Sequence, residues 1–172
     1  ENDRIKSNIM MRAPVYTAWD IGLSDSTSIC FFQFDSAKNP YIINYIENSN
    51  KSLEWYINEI YQFCTRHGFV HVKAYFPHDG AKRDFCDPSL KSVVDLANEA
   101  GLASIKVERP KSKLVAIQQM RGMLRRTWFN KETTGRLIEC LSNYSKVFDE
   151  KNNRIAAIYT GAVDRKSTRL NS

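Results

Sequence analysis

Between Val15 and Glu47 the sequence offers only short apolar runs, each followed at once by a turn. VYTAWD, TSICFFQF and YIINYIE are too short for helices and are separated by IGLSDS and DSAKNP. Three strands joined by short polar links predict an antiparallel meander. TSICFFQF is apolar on both faces and reads as a central strand. After Glu47 the period changes. Leu53, Ile57, Ile60 and Cys64 share one helical face, and Gly68 stands where a C-terminal cap belongs. In VHVKAYF, Val70, Val72, Ala74 and Phe76 alternate with His71, Lys73 and Tyr75, which predicts a half-buried fourth strand ending in PHDG.

The rest alternates. Asp87 and Pro88 fit an N-cap and first-turn proline opening a helix with Leu90, Val93, Val94 and Ala97, stopped at Gly101. ASIKVE is a short fifth strand and RPKSK a basic turn. Leu114, Ile117, Met120, Leu124 and Trp128 mark a third helix; Leu137, Leu141, Tyr144 and Phe148 mark a fourth. The order β-β-β-α-β-α-β-α-α predicts an α/β fold, a mixed sheet of about five strands with helices on both faces. Residues 1–13 read as a linker or terminus and 14–153 as the domain. Residues 154–172 read as an atypical tail.

Length and charge narrow the class. A chain of 172 residues can bury a real core, and 42% hydrophobic with 26% charged residues is a globular composition. No apolar run is long enough to span a bilayer, and the opening lacks a signal peptide. Glu1 in place of an initiator Met suggests a piece of a longer product. The net charge of +6 hints at an anionic partner, but Arg165, Lys166 and Arg169 alone supply +3 of it. Cys30, Cys64, Cys86 and Cys140 form no C-x-x-C pair, so reduced thiols are expected. Cys64 and His67, with His78 and Cys86 beyond, fall short of the two tight ligand pairs of a structural zinc site.

The chemistry lies at strand ends. If the fourth strand pairs in parallel with the first, Asp20 and Asp79 reach neighbouring carboxyl ends, the edge where open α/β sheets bind ligands. Two converging carboxylates need a cation or a shared proton. A few partly hydrated oxygen ligands suit Mg²⁺ or Mn²⁺. Two such ions about 4 Å apart would clamp a phosphodiester. Asp25 and His78 are candidates for supporting those ligands, although Asp25 also fits a turn residue bonding its own backbone. Arg109, Lys111, Lys113, Arg121, Arg125 and Arg126 offer charge to a nucleic-acid backbone, or form a solvated helix face.

WDIGLSDST, YFPHDG, IQQMRGML and LIECLSNYSKVFDEKNN, in this order, resemble the nuclease domain of the large terminase subunit of tailed bacteriophages, over roughly residues 14 to 153. The resemblance implies an RNase H-like fold and a metal-dependent endonuclease that cuts concatemeric double-stranded viral DNA. It implies two Mg²⁺ or Mn²⁺ ions, with the family's first two metal-binding aspartates falling on Asp20 and Asp79. It also implies partners: an ATPase motor in the full-length protein, a portal and a small terminase subunit, in the cytoplasm of a bacterial host and away from membranes. No Walker A loop occurs in this chain. The family's third carboxylate follows a histidine near the end of the domain, whereas the last histidine here is His78. Asp164 is the only acid after Asn153 and the remaining candidate ligand. The final DRKSTRLNS also resembles translated sequencing-adapter ends, which leaves the native origin of 154–172 open.

Three rivals share these features. Actin-like and sugar-kinase ATPases also open with a D-x-G-x-(S/T) hairpin, but they need a second domain and Gly-rich nucleotide contacts, and this chain has 7 Gly in 172 residues. A resolvase or transposase core would share the RNase H-like sheet. A catalytically incomplete remnant would bind DNA without cutting it.

Overall fold

The computed structural model describes residues 13–22, 26–78, 91–143, 145–149 and 154–160. By internal contacts the chain divides into two units, Glu1–Thr134 and Gly135–Ser172.

The first unit is built on the expected meander. β1 (Val15–Asp20), β2 (Thr27–Phe34) and β3 (Pro40–Asn48) pair antiparallel in sequence order. α1 (Leu53–His67) follows, and β4 (His71–Phe76) returns to pair in parallel with β1. α2 (Val93–Glu99) leads to β5 (Ser104–Lys106), which pairs in parallel with β4. α3 (Lys113–Leu124) leads to β6 (Trp128–Phe129), which pairs in parallel with β3. The six-stranded sheet has the order β5-β4-β1-β2-β3-β6, a mixed arrangement with the meander in its middle. α4 (Lys131–Ser142) runs from the first unit into the second, where β7 (Ser145–Asp149) and β8 (Arg154–Thr160) pair antiparallel.

Local chemistry explains the helix bounds. Ser52 caps α1, its hydroxyl accepting from the Trp55 amide at 3.2 Å. At the other end Gly68 adopts φ 67°, a conformation open to glycine at little cost. The Gly68 amide donates to the Thr65 carbonyl at 3.3 Å and the Phe69 amide to the Cys64 carbonyl at 2.8 Å. This is a Schellman closure, and it turns Phe69 back onto the helix. Gly101, at φ 87°, closes α2 in the same way, with Leu102 donating to Ala97 at 2.9 Å. The opening of α2 differs from expectation. Ser92, in extended conformation, is its N-cap and forms a reciprocal capping box with Asp95. Asp87, Pro88 and Leu90 lie outside the described residues.

One face of the sheet carries the main core. Val15, Trp19, Ile29, Phe31, Ile43, Ala74 and Phe76 meet Leu53, Tyr56, Ile57, Ile60, Phe63 and Cys64 of α1, with Val93 and Ala97 of α2. The opposite face carries a half-buried aromatic row across three strands. Tyr16 stacks on Phe32 at 5.6 Å, and Tyr75 lies 6.2 Å from Phe32.

Two expected helices end early. α3 stops at Leu124, and Trp128 belongs to β6, where it stacks on Tyr41 at 5.9 Å while the Asn130 amide donates to the Ile42 carbonyl at 2.8 Å. α4 stops at Ser142, and Phe148 lies in β7 because Arg154–Thr160 supplies a strand partner. Tyr144 lies outside the described residues. Long-range pairing here overrides a helical spacing.

Candidate functional site

The site begins with β1. Its alternation turns Val15, Thr17 and Trp19 into the core and leaves Ala18 and Asp20 exposed. Asp20 is the last residue of the strand and lies opposite Ser28 of β2, so the return through Gly22 forms an antiparallel pair. Leu23, Ser24 and Asp25 lie outside the described residues.

β4 lies on the other side of β1. Thr17 is in register with Ala74 and Ala18 with Tyr75. The carboxyl ends of the two strands therefore point the same way. One step further, the rings of Trp19 and Phe76 stack with centroids 4.6 Å apart and planes 26° from parallel. Beyond Phe76 the chain continues through Pro77 to His78, which is exposed. Asp79 lies outside the described residues, as does Asp164.

Between β1 and β4 runs a partly buried polar chain that the sequence did not announce. The Trp19 indole Nε1 donates to Thr17 Oγ1 at 3.2 Å, and Thr17 Oγ1 is 3.1 Å from His71 Nε2. Since the hydroxyl accepts from the indole, its own hydrogen is available to a neutral His71. Burial pushes His71 down to about 4, which keeps it neutral near pH 7. A register shift between Val15 and Tyr16 makes this contact. It sets His71 beside Val15 and leaves Val72 39% and Val70 70% exposed, against the expected alternation. The only sequence signal was a threonine at an inward-facing strand position.

The other candidates separate. Cys64 is a core residue whose thiol burial raises to about 11, and half-buried His67 stacks on Phe69 at 5.5 Å. Cys86 lies outside the described residues. Cys30, Cys64 and Cys140 are free thiols. Arg109, Lys111, Arg121, Arg125 and Arg126 are exposed along and around α3, which begins at Lys113. Among the described residues no three His, Cys, Asp or Glu side chains form a metal-binding group. Asp20 fits a divalent-ion ligand in donor type and access, being an exposed carboxylate beside a parallel strand end.

The sequence matches no protein-family model and no curated protein. Solved structures are similar to it. The P22 large terminase nuclease domain matches with a TM-score of 0.62 at 16% identity, covering 88% of this chain and 76% of that one. The chain has the fold of a large terminase nuclease domain. The large terminase of a thermophilic bacteriophage matches at TM-score 0.63 and 16% identity over 89% of this chain. The chain spans 37% of the length of that terminase. The nuclease domain of the SPP1 large terminase, g2p, with bound Mn, matches at TM-score 0.56 and 12% identity, over 87% of this chain and 77% of that one.

Proposed function

We propose that this chain is the metal-dependent endonuclease domain of a viral DNA-packaging terminase, hydrolysing phosphodiester bonds of concatemeric double-stranded DNA. One observation carries the reading. β4 pairs in parallel with β1, so the strand that ends on Asp20 lies beside the strand that runs toward Asp79. The shared fold with terminase nuclease domains, one of them with bound Mn, supports it.

In this reading Asp20 and Asp79 hold Mg²⁺ or Mn²⁺, two ions in all, with Asp164 the remaining candidate ligand. Such ions would supply an activated water on one side of the phosphorus and stabilise the leaving oxygen on the other. The protein's own part is to hold the carboxylates at fixed strand ends and to steer DNA to them. His78 and Asp25 orient the ligands. Arg109, Lys111, Lys113, Arg121 and Arg125 meet phosphates. The stretch from Val107 to Arg126 carries six basic residues and one acid, Glu108, which suits a polyanion. No described helix is long and apolar enough to cross a membrane. The complete protein adds an ATPase motor and works with a portal and a small subunit in the cytoplasm of a bacterial host.

Incubation of supercoiled plasmid with the chain and Mn²⁺, Mg²⁺ or EDTA tests the reading. Nicking with either ion and none with EDTA is expected. Equal cleavage in EDTA contradicts metal dependence. DNA binding without cleavage, from folded protein, favours the catalytically incomplete reading, which the unmatched third carboxylate of the family already motivates.

A further inference from the structure

We propose that the outer edge of β5 is a latent surface for pairing with a second copy of this chain, and that the Asn98 side chain holds it closed. β5 is the outer strand on one side of the six-stranded sheet. Its inner side is engaged with β4: the Ala74 amide donates to the Ala103 carbonyl and the Val107 amide to the Phe76 carbonyl, each at 2.8 Å. Alternate residues of a strand turn their backbone groups to opposite sides, so Ser104 and Lys106 present theirs outward. An outward row of this kind is a template for another strand. Asn98, in the last turn of α2, fills the place beside Ser104. Its Oδ1 accepts from the Ser104 amide at 2.8 Å, and its Nδ2 donates to the Ser104 carbonyl at 3.1 Å. Nδ2 also donates to the Val94 carbonyl at 2.8 Å, which fixes the side chain to its own helix. A carboxamide carries the same donor and acceptor types as a peptide group, so Asn98 stands where one residue of a neighbouring strand would.

The edge is complementary to itself. Run antiparallel against a second copy about a twofold axis, Ile105 meets its own counterpart, and Ser104 and Lys106 of each chain exchange backbone hydrogen bonds with Lys106 and Ser104 of the other. Side chains approach most closely at a central pair of this kind, which makes no backbone bonds of its own. Ile105 is 41% exposed and Val107 45%, so the contact would bury apolar surface. Each of the flanking hydrogen-bonded pairs needs a Ser104. While Asn98 holds both backbone groups of that residue, neither pair can form.

Sedimentation velocity over a concentration series, with thermal unfolding on the same samples, compares wild type, Asn98→Ala and the double variant Asn98→Ala with Ile105→Lys. Asn98→Ala is expected to raise the dimer association constant at least about tenfold, since it releases backbone groups that then pair between copies. Adding Ile105→Lys sets like charges against each other at the centre of the pair and is expected to restore the wild-type association constant. Folded Asn98→Ala that associates no more than wild type overturns the proposal and leaves Asn98 as a tie between α2 and β5 alone. Association of Asn98→Ala that survives Ile105→Lys places the contact elsewhere and also overturns it. If Asn98→Ala does not fold, Asn98→Ser is judged by the same criteria: its shorter hydroxyl can bond the Val94 carbonyl within the helix but cannot span both groups of Ser104.

Discussion

Trp19 and Phe76 stack with centroids 4.6 Å apart where the carboxyl ends of β1 and β4 come together. The pair joins the core to the candidate site. Its rings close the apolar interior, and the chain leaves it on one side into Asp20 and on the other toward Asp79.

Phe76 is fully buried, and Phe76→Ala removes a ring held by Trp19. The expected loss of stability is about 3–5 kcal/mol. It is read as a lower urea midpoint with unchanged slope. A loss below about 1 kcal/mol would mean that the core closes over the gap.

His71 links acidity to stability. The folded chain keeps it neutral down to about pH 4, whereas an unfolded histidine takes up its proton near pH 6.5. Between these values the unfolded state binds more protons, so stability falls as pH drops from 6.5 toward 4. Below 4 this group adds no further loss. The whole effect is under about 3 kcal/mol after allowance for solvent screening. Urea midpoints at about pH 7, 5.5 and 4.5 should converge between wild type and His71→Gln as pH falls. Parallel curves would contradict the assignment.

Gly68 ends α1 at φ 67°, and an added Cβ would meet nothing within 4 Å. The cost of Gly68→Ala is therefore conformational, about 1–2 kcal/mol. Gly68→Asn should cost less, since asparagine tolerates the left-handed region. Equal thermal midpoints for wild type and Gly68→Ala would contradict this.

The basic stretch around α3 makes a prediction about salt. If Arg121 and Arg125 each meet a phosphate, Arg121→Ala and Arg125→Ala should each lower the slope of log affinity against log salt by about 1. Weakened binding should be similar on unrelated duplexes. An unchanged slope would assign these residues to a solvated face.

What could be read from the sequence was local. The Leu53–Ile57–Ile60–Cys64 face and Gly68 define α1 within one segment, and the folded helix runs from Leu53 to the cap at Gly68. The meander followed from short links between strands, and Asp20 stood out because an apolar run ended on it. The parallel pairing of β4 with β1 was legible only as a condition. Features set by distant partners were not legible. Leu137, Leu141, Tyr144 and Phe148 keep helical spacing, yet Phe148 lies in a strand because it pairs with Ile155. Period carries no trace of the register shift at Val15 and Tyr16, and that shift turns His71 inward in place of Val72. Thr17 and His71 are 54 residues apart, so their hydrogen bond had no local signature.

We propose that Asp20 and Asp79 share a metal site that cuts DNA. The most direct measurement is cleavage of supercoiled plasmid in Mn²⁺ by wild type, Asp20→Asn and Asp79→Asn at matched folded concentration. A loss of at least about 100-fold is expected in each variant, since a carboxamide is a poor ligand for a hard cation. Wild-type cleavage by either folded variant would contradict it.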